Sequence, residues 1–286
     1  MSAFCLEKQA DDYPDQLRQT PHPPARLYGL GSREFLPLPA LGVVGSRSMS
    51  PYGERIINLL LPAVASAGIV IVSGLAYGVD AAAHRTALRH GGRCVAVLGS
   101  GIDVIYPASN RPLLEAILQS GGCVLSEYPE GTQPASYQFP ERNRIVAGLS
   151  KAVLIIEAGE RSGTLITARH ALDAGREVCV VPADITREQS KGVHSLLKQG
   201  ARPVTTPGDL LALFGTPGER VVPEHLQPAL TGSPANLYDL ISHGAGTVDQ
   251  LSTASGLSVG EVQSVLSVLE LDGYIYLNGT TWQRTY

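Results

Sequence analysis

The chain has 286 residues, of which 44% are hydrophobic and 17% are charged, with 31 glycines and 20 prolines. This composition is typical of a folded protein with many tight turns, and the length allows one large α/β domain and a smaller second one. The formal net charge of −4 excludes a uniformly basic surface, so any binding of nucleic acid has to use a local patch.

Targeting and metal-binding signals are absent from the sequence. No segment approaches the roughly 18 consecutive apolar residues of a membrane span, and the N-terminus lacks the basic and apolar regions of a signal peptide. We therefore expect a cytoplasmic protein without membrane association. The four cysteines have neither metal-ligand nor CxxC spacing. We expect free thiols, no metal site and no cofactor.

From residue 41 the chain repeats a short apolar strand, a loop rich in Gly and Ser, and a helix. The strands are LGVVG (41–45), IVIVSG (69–74), CVAVLG (94–99), CVLSE (123–127), AVLIIEA (152–158) and EVCVVP (177–182). Apolar strands that alternate with helices indicate a parallel sheet covered on both faces. The pattern predicts an α/β fold with a Rossmann-like, doubly wound, mostly parallel sheet over residues 36–215, after an N-terminal extension over residues 1–35.

The C-terminal part of the chain has a different pattern. Residues 216–234 are rich in Pro and Gly and lack a hydrophobic period, which predicts a linker. Residues 235–286 contain three helical segments, with Thr247 and Ser258 as candidate N-caps, and then an Asn-Gly hairpin turn at 278–279. Three helices and a hairpin predict a small C-terminal winged-helix domain.

The predicted winged helix is acidic, and we expect it not to retard duplex DNA in a gel at moderate salt when isolated. Residues 236–286 contain five Asp and Glu but a single Lys or Arg, Arg284. The predicted third helix, residues 258–272, has three acids and no Lys or Arg, so phosphates would repel it. Contact with protein, or packing, is the expected role. A clear gel shift would contradict this expectation.

Turns rich in Gly and Ser follow several predicted strands, at Gly45-Ser46-Arg47, at Ser73-Gly74 and at Ser162-Gly163. The carboxyl ends of parallel strands share one edge, and helix N-termini at such an edge favour anions such as phosphate. Each turn by itself also fits an ordinary strand-to-helix connection. GxGxxG does not follow the first strand and GxxxxGK[ST] does not occur, so neither NAD binding nor P-loop chemistry is expected.

Arginines and an aromatic residue are expected in the loops of the same edge: Arg47, Phe139, Arg142, Asn143, Arg144 and Arg161. Arginine forms two hydrogen bonds with a phosphate, and an aromatic ring stacks on a base, which suits a single strand better than a free nucleotide. Phe139 taken by itself is better explained as a plug of the sheet edge. Tyr106 and Asn110 allow both interpretations too.

The sequence gives little support to catalysis. It contains no HExxH and no paired carboxylates with a partner base, and its single GxSxG match, GLSVG at 256–260, lies between predicted helices of the winged-helix segment and does not follow a strand. His84 and His170 lie in predicted helices and fit packing or capping better than acid–base chemistry. We expect a protein that is not an enzyme and has no catalytic residue. A Rossmann enzyme or sensor that binds or cleaves nucleotides is the main alternative, and an adaptor that binds only proteins is the second.

Six longer motifs occur in order along the chain: VVGSR (43–47), SGLAYGVDAAAH (73–84), AVLGSGIDVIYPASN (96–110), SEYPEGTQP (126–134), FPERNRIVAGLS (139–150) and EAGERSGTLITARHALDAGREVCVVP (157–182). They resemble the motifs of the DNA-processing protein A family, known as DprA or Smf. The resemblance runs from about residue 13 to residue 201 and implies a fold like the one predicted above.

The resemblance implies a protein that binds and protects single-stranded DNA and loads a RecA-type recombinase onto it during natural transformation. It also implies a homodimer, with a single-strand-binding protein as a further partner. By motif it assigns DNA contacts to Arg47, Phe139, Arg142, Asn143 and Arg144.

Two segments refine this expectation. KGVHSLLKQGA (191–201) matches the family's dimer and partner helix, and its candidate interface residues are His194, Leu196 and Leu197. These leucines also fit packing against their own sheet. Ser136 and Tyr137 stand where relatives often have a basic residue, so one phosphate contact and some affinity are expected to be missing.

Overall fold

The computed structural model describes four stretches of the chain, residues 3–215, 232–242, 246–271 and 274–284. The chain divides into two compact units between residues 219 and 220. Of the linker expected at 216–234, residues 216–231 lie outside the described stretches, and the first helix of the second unit begins at Ser233. In the described part of the chain, no helix is both long and apolar enough to span a bilayer.

Within residues 3–215, nine strands form one sheet: β1 (Ala3–Glu7), β2 (Arg26–Gly31), β3 (Ala40–Val44), β4 (Val70–Ser73), β5 (Cys94–Leu98), β6 (Cys123–Ser126), β7 (Ala152–Ile155), β8 (Glu177–Val180) and β9 (Arg202–Pro203). Their spatial order is β1-β2-β6-β5-β4-β3-β7-β8-β9. All pairings among β3 to β9 are parallel, with Leu41 opposite Ile71 on one side and Ala152 on the other. The predicted doubly wound, mostly parallel sheet is confirmed.

The first 35 residues, expected as an extension, contribute two strands to this sheet. β2 pairs antiparallel with β6, and β1 pairs antiparallel with β2. Between them lies the short helix α1 (Asp15–Arg18), and Leu6, Leu17 and Leu27 are fully buried. The antiparallel pair covers the edge of β6, whose backbone groups would otherwise be unpaired.

Seven further helices lie in the same stretch: α2 (Pro51–Ser66), α3 (Val79–Arg89), α4 (Arg111–Gln119), α5 (Gln138–Leu149), α6 (Thr164–Asp173), α7 (Lys191–Lys198) and α8 (Pro207–Leu213). Successive side chains of a strand point to opposite faces of the sheet. Leu41 and Val43 therefore pack in a core with α2, α3, α4 and α8, whereas Ala40 and Val44 pack in a second core with α5, α6 and α7.

The order of the strands determines where a crevice opens. β3 lies between β4 and β7, and the chain builds one half of the sheet through β4, β5 and β6 before it returns to build the other half. The connections after β3 and after β7 therefore diverge. Ligands of doubly wound sheets bind at such a switch point, outside the carboxyl ends of the strands.

The second unit is the predicted winged helix, with α9 (Ser233–Ser242), α10 (Val248–Ser255), α11 (Val259–Leu271), β10 (Ile275–Asn278) and β11 (Thr281–Arg284). Thr247 and Gln250 form a capping box before α10, and the Ser258 hydroxyl accepts a hydrogen bond from the N–H of Glu261. Both predicted N-caps are confirmed. Because β10 and β11 pair up to residues 278 and 281, the turn is 279–280, one residue later than predicted.

Candidate nucleic-acid interface

A cavity of about 690 Å³ opens at the carboxyl ends of the parallel strands. It is lined by the loop after β3, the first turn of α3, the first turns of α5 and the N-terminus of α6. These elements follow β3, β4, β6 and β7, so the cavity spans the switch point of the sheet. Its position and its lining make it the candidate site.

Most of the residues predicted to contact DNA line this cavity: Gly45, Ser46, Arg47, Phe139, Arg142, Asn143, Ser162 and Gly163. The structure does not bring the remaining predicted residues into it: Ser73, Gly74, Arg144 and Arg161. The two groups differ in what their side chains contact.

The turn after β3 rests directly on the start of α3. A Cβ atom on Gly45 would lie 2.6 Å from Cγ2 of Val79, and one on Gly78 would lie 2.2 Å from the carbonyl oxygen of Ser46. Gly78 also has a φ of +72°, which L-residues rarely adopt. Both glycines are therefore required for this close approach, which fixes Arg47 at the mouth of the cavity.

The N-terminus of α6 forms another wall. Ser162 accepts a hydrogen bond from the N–H of Thr164 at 3.2 Å, and Ser162, Gly163 and Thr164 all line the cavity. The first N–H groups of a helix have no partner within the helix and carry partial positive charge. The N–H groups of Thr164, Leu165 and Ile166 already have acceptors in the Ser162 hydroxyl and the carbonyl oxygens of Ser162 and Gly163. This wall therefore offers an anion the partial positive charge of the helix end.

Arg47 is exposed, and its guanidinium carbon lies 5.2 Å from the centroid of the Phe139 ring, in a cation–π arrangement. The Tyr106 ring lies 5.5 Å from the same ring, centroid to centroid, at an interplanar angle of 39°. Phe139 is half-buried, so it covers part of the sheet edge and still presents ring surface to the cavity. Arg47 forms no ion pair with any residue that the structure describes.

Arg142 differs from Arg47 because it is only 3% exposed. Its Nη1 donates to the carbonyl oxygens of Gly74, at 2.5 Å, and of Val97, and its Nε donates to Oδ1 of Asn143 at 3.1 Å. Burial lowers the pKa of Arg142 to about 10, although the nearby charge of Asp80 acts in the opposite direction. The guanidinium thus ties the ends of β4 and β5 to α5.

The loop between β4 and α3 is held by Asp80, which was not among the predicted site residues, and by Asn110, for which the sequence left the role open. Asp80, 7% exposed, accepts hydrogen bonds from the N–H groups of Gly74 and Ala76, at 3.1 and 3.4 Å, and burial raises its pKa. Asn110, also buried, donates to the carbonyl oxygens of Leu75 and Ala76, at 2.8 and 3.3 Å. The sequence signal for both was a polar residue at the end of a motif, SGLAYGVD for Asp80 and IYPASN for Asn110.

Ser73 and Gly74 have internal roles. Ser73 is fully buried, and its hydroxyl donates to the carbonyl oxygen of Val43 at 2.6 Å, which links β4 to β3. A Cβ atom on Gly74 would lie 2.3 Å from guanidinium atoms of Arg142. The glycine therefore makes room for a buried side chain.

Arg144 points away from the cavity. It forms two hydrogen bonds with the Glu127 carboxylate, at 2.6 and 2.8 Å, and one with the carbonyl oxygen of His22 at 2.9 Å. It lines a separate cavity of about 330 Å³ together with His22 and His170. Arg161 is exposed but does not line the main cavity.

The helical geometry of α5 explains this separation. Residues 139–144, predicted to lie in an edge loop, form the first turns of α5. Residues three and four positions after Phe139 share its helix face, whereas a residue five positions after it lies well round the helix. Phe139, Arg142 and Asn143 therefore face the cavity together, and Arg144 does not.

The residues predicted for a dimer interface lie in α7 and make internal contacts. Leu196 is buried in the core on the α5 side of the sheet, and Leu197 packs partly against that core. Nε2 of His194 is 2.9 Å from the carbonyl oxygen of Ala183. The leucines thus face their own sheet, the alternative that the sequence left open.

The two helical histidines lie away from the main cavity. His84 is fully buried, and desolvation lowers its pKa to about 3. His170 is half-buried, and desolvation is the largest cause of its lowered pKa. Neither ring lines the main cavity.

Comparison with known proteins identifies the family of the chain. The family model described as DNA recombination-mediator protein A matches residues 4–215, and that of the DprA winged helix domain matches residues 222–276. Protein Smf of Escherichia coli is 41% identical over 94% of this chain and 74% of its own length. DNA processing protein DprA of Streptococcus pneumoniae is 43% identical over 71% of this chain and 72% of its own length.

Solved structures agree with the sequence comparison. DNA processing protein A from Streptococcus pneumoniae matches with a TM-score of 0.70 and 40% identity, over 74% of each chain. DNA processing protein A from Helicobacter pylori, whose structure was described for its single-stranded DNA binding mode, matches with a TM-score of 0.67 and 30% identity. The match covers 75% of this chain and 96% of that one. This chain belongs to the DNA processing protein A family, DprA or Smf.

Proposed function

We propose that this chain binds single-stranded DNA in the main cavity, with Arg47 on a phosphate and Phe139 against a base. The observation that carries the proposal is the exposed guanidinium of Arg47, which has no ion-pair partner among the described residues and lies over the Phe139 ring at the mouth of a cavity whose other wall is the N-terminus of α6. A cation, the positive end of a helix and an aromatic ring are parts that suit a flexible phosphate chain with unpaired bases. The relationship to the Helicobacter pylori protein supports the same ligand.

Arg142, Ser73 and Gly74 have supporting roles in this proposal. Because Nη1 of Arg142 donates to two main-chain oxygens and its Nε donates to Asn143, it positions the loop behind the site and adds positive potential beneath it. Asn143 and Ser162 contribute polar groups to the lining. We therefore assign direct DNA contact to Arg47, Phe139 and the start of α6.

The broader role that we propose follows from family membership: protection of single-stranded DNA and loading of a RecA-type recombinase during natural transformation. We propose further that the protein is cytoplasmic, that it forms a homodimer through α7, and that a single-strand-binding protein is one of its partners. His194 and Leu197 are the half-buried members of α7 that such a contact would cover. The proposed protein is a DNA-binding protein and not an enzyme.

Arg47→Ala should weaken binding of a labelled oligothymidylate about tenfold, because a phosphate contact and its support of Phe139 are lost. The slope of log K against log salt should fall by about 0.7, the value for one phosphate contact on a single strand. Fluorescence anisotropy at several salt concentrations measures both quantities.

The matched control is Arg85→Ala, which removes an exposed arginine from α3 that does not line the cavity. We expect its affinity and salt slope to equal those of the wild type. If Arg47→Ala behaved like Arg85→Ala, DNA would not bind at this cavity.

A further inference from the structure

A tyrosine on the strained loop between β4 and α3 has no part in the proposed site. Tyr77 is 51% exposed, although the loop that carries it is held from beneath by Asp80 and Asn110. Leu75 in this loop has a φ of +55°, a left-handed conformation that is unfavourable for a non-glycine residue. The fold thus maintains a strained, well-anchored loop that presents an aromatic ring to solvent.

A second exposed ring lies near it. Tyr106 is 47% exposed and contacts Phe139 on one side. Tyr77 and Tyr106 line a small cavity of about 30 Å³, and Arg47, Tyr106 and Phe139 line this cavity as well as the main one, whereas Tyr77 lines only the small one. Phe139 therefore lies where the main cavity meets the small one, and aromatic surface continues from it toward Tyr77.

We propose that Tyr106 and Tyr77 form a second base-stacking step for the single strand as it leaves the main cavity past Phe139. The inference rests on the proposed function, because the strand has to occupy the main cavity first. The small cavity is no larger than a few water molecules, so the base lies on the rings and does not enter between them.

The chemistry of the two tyrosine rings favours an unpaired nucleobase as the ligand. Tyrosine offers a neutral, flat and largely apolar face with a polar tip, which suits the face of an unpaired nucleobase. Bases in a duplex are stacked on one another and do not present these faces. The step therefore adds affinity for single strands of any sequence without adding a phosphate contact.

Tyr77→Ala should weaken binding of an oligothymidylate of about twelve nucleotides about tenfold, the effect of losing one stacked base. Its salt slope should equal that of the wild type, since no phosphate contact is lost. A strand of about four nucleotides, which occupies the main cavity alone, should bind wild type and variant equally. Fluorescence anisotropy with the full-length protein measures all three quantities.

Two further variants separate stacking from other effects. Tyr77→Phe keeps the ring and should retain the affinity of the wild type. Tyr137→Ala removes a tyrosine that is 62% exposed and close to Phe139 in the chain but lines neither cavity, and it should bind like the wild type. Thermal melting of each variant shows that the fold is unchanged.

The outcomes distinguish this inference from the proposed function. If Arg47→Ala weakens binding but Tyr77→Ala and Tyr106→Ala bind the longer strand as the wild type does, the second step is refuted and the main site stands. If the wild type binds neither strand, the proposed function fails and the inference fails with it.

Discussion

Replacing Arg142 with methionine should lower the free energy of unfolding by about 3–5 kcal/mol, the range for removal of one partner from a buried charged network. Methionine keeps much of the side-chain volume but donates no hydrogen bonds. The carbonyl oxygens of Gly74 and Val97 would lose their donor inside the protein, and the buried Asp80 carboxylate would lose its nearby positive charge. Urea denaturation followed by circular dichroism measures the effect.

Arg47→Met is the matched control, because it makes the same change at an exposed residue of the same cavity. Its free energy of unfolding should stay within about 0.5 kcal/mol of the wild type, while its DNA affinity falls. A loss below about 1 kcal/mol for Arg142→Met would show that Arg142 does not hold the loops together.

Asp80→Asn tests the charge contribution separately. The amide oxygen still accepts hydrogen bonds from Gly74 and Ala76, but no negative charge remains buried. In the double variant with Arg142→Met, the loss of stability should therefore be smaller than the sum of the two single losses. This coupling is the measurable form of the attraction between the two side chains.

Three arginines show how far the sequence predicts the site. Motif and loop position assigned Arg47, Arg142 and Arg144 to one DNA-binding set, because all three follow strands of the same sheet. The sequence did not indicate that α5 begins at Gln138, and the face of a helix residue depends on that start. Once the helix is known, Arg142 lies three positions after Phe139 and shares its face, whereas Arg144 lies five positions after it and does not.

The sheet shows a similar division between local and long-range information. The parallel strands are apolar runs that a local pattern identifies. β1 and β2 are short and mixed, and their place is determined by pairing with β6, far along the chain. Phe4 of β1 lies across Gly29 of β2, where a Cβ atom would come within 2.2 Å of the ring. A local pattern does not reveal such a contact.

His84 should make the protein sensitive to acid. Its ring is fully buried near Ser73 and Arg142, and neither ring nitrogen forms a hydrogen bond of ordinary geometry within the described part of the chain. Desolvation is the largest cause that lowers the pKa of His84 from 6.5 to about 3, and the charge of Arg142 adds to it. Between pH 6.5 and about 3 the unfolded chain therefore takes up a proton at this residue and the folded chain does not.

Because the unfolded chain binds more protons in this window, the free energy of unfolding should fall as the pH falls. His84 alone should contribute roughly 1 kcal/mol per pH unit. His84→Leu cannot take up the proton, so urea denaturation at pH 7.5, 5.5 and 4.5 should show a shallower loss of stability for the variant than for the wild type. His90→Leu, at an exposed position on the same helical segment, should keep the wild-type slope. If stability depended on pH equally in His84→Leu and the wild type, the His84 ring would also take up its proton in the folded protein. The protonated ring would then need a hydrogen-bond acceptor beside it, such as the backbone of Ser73.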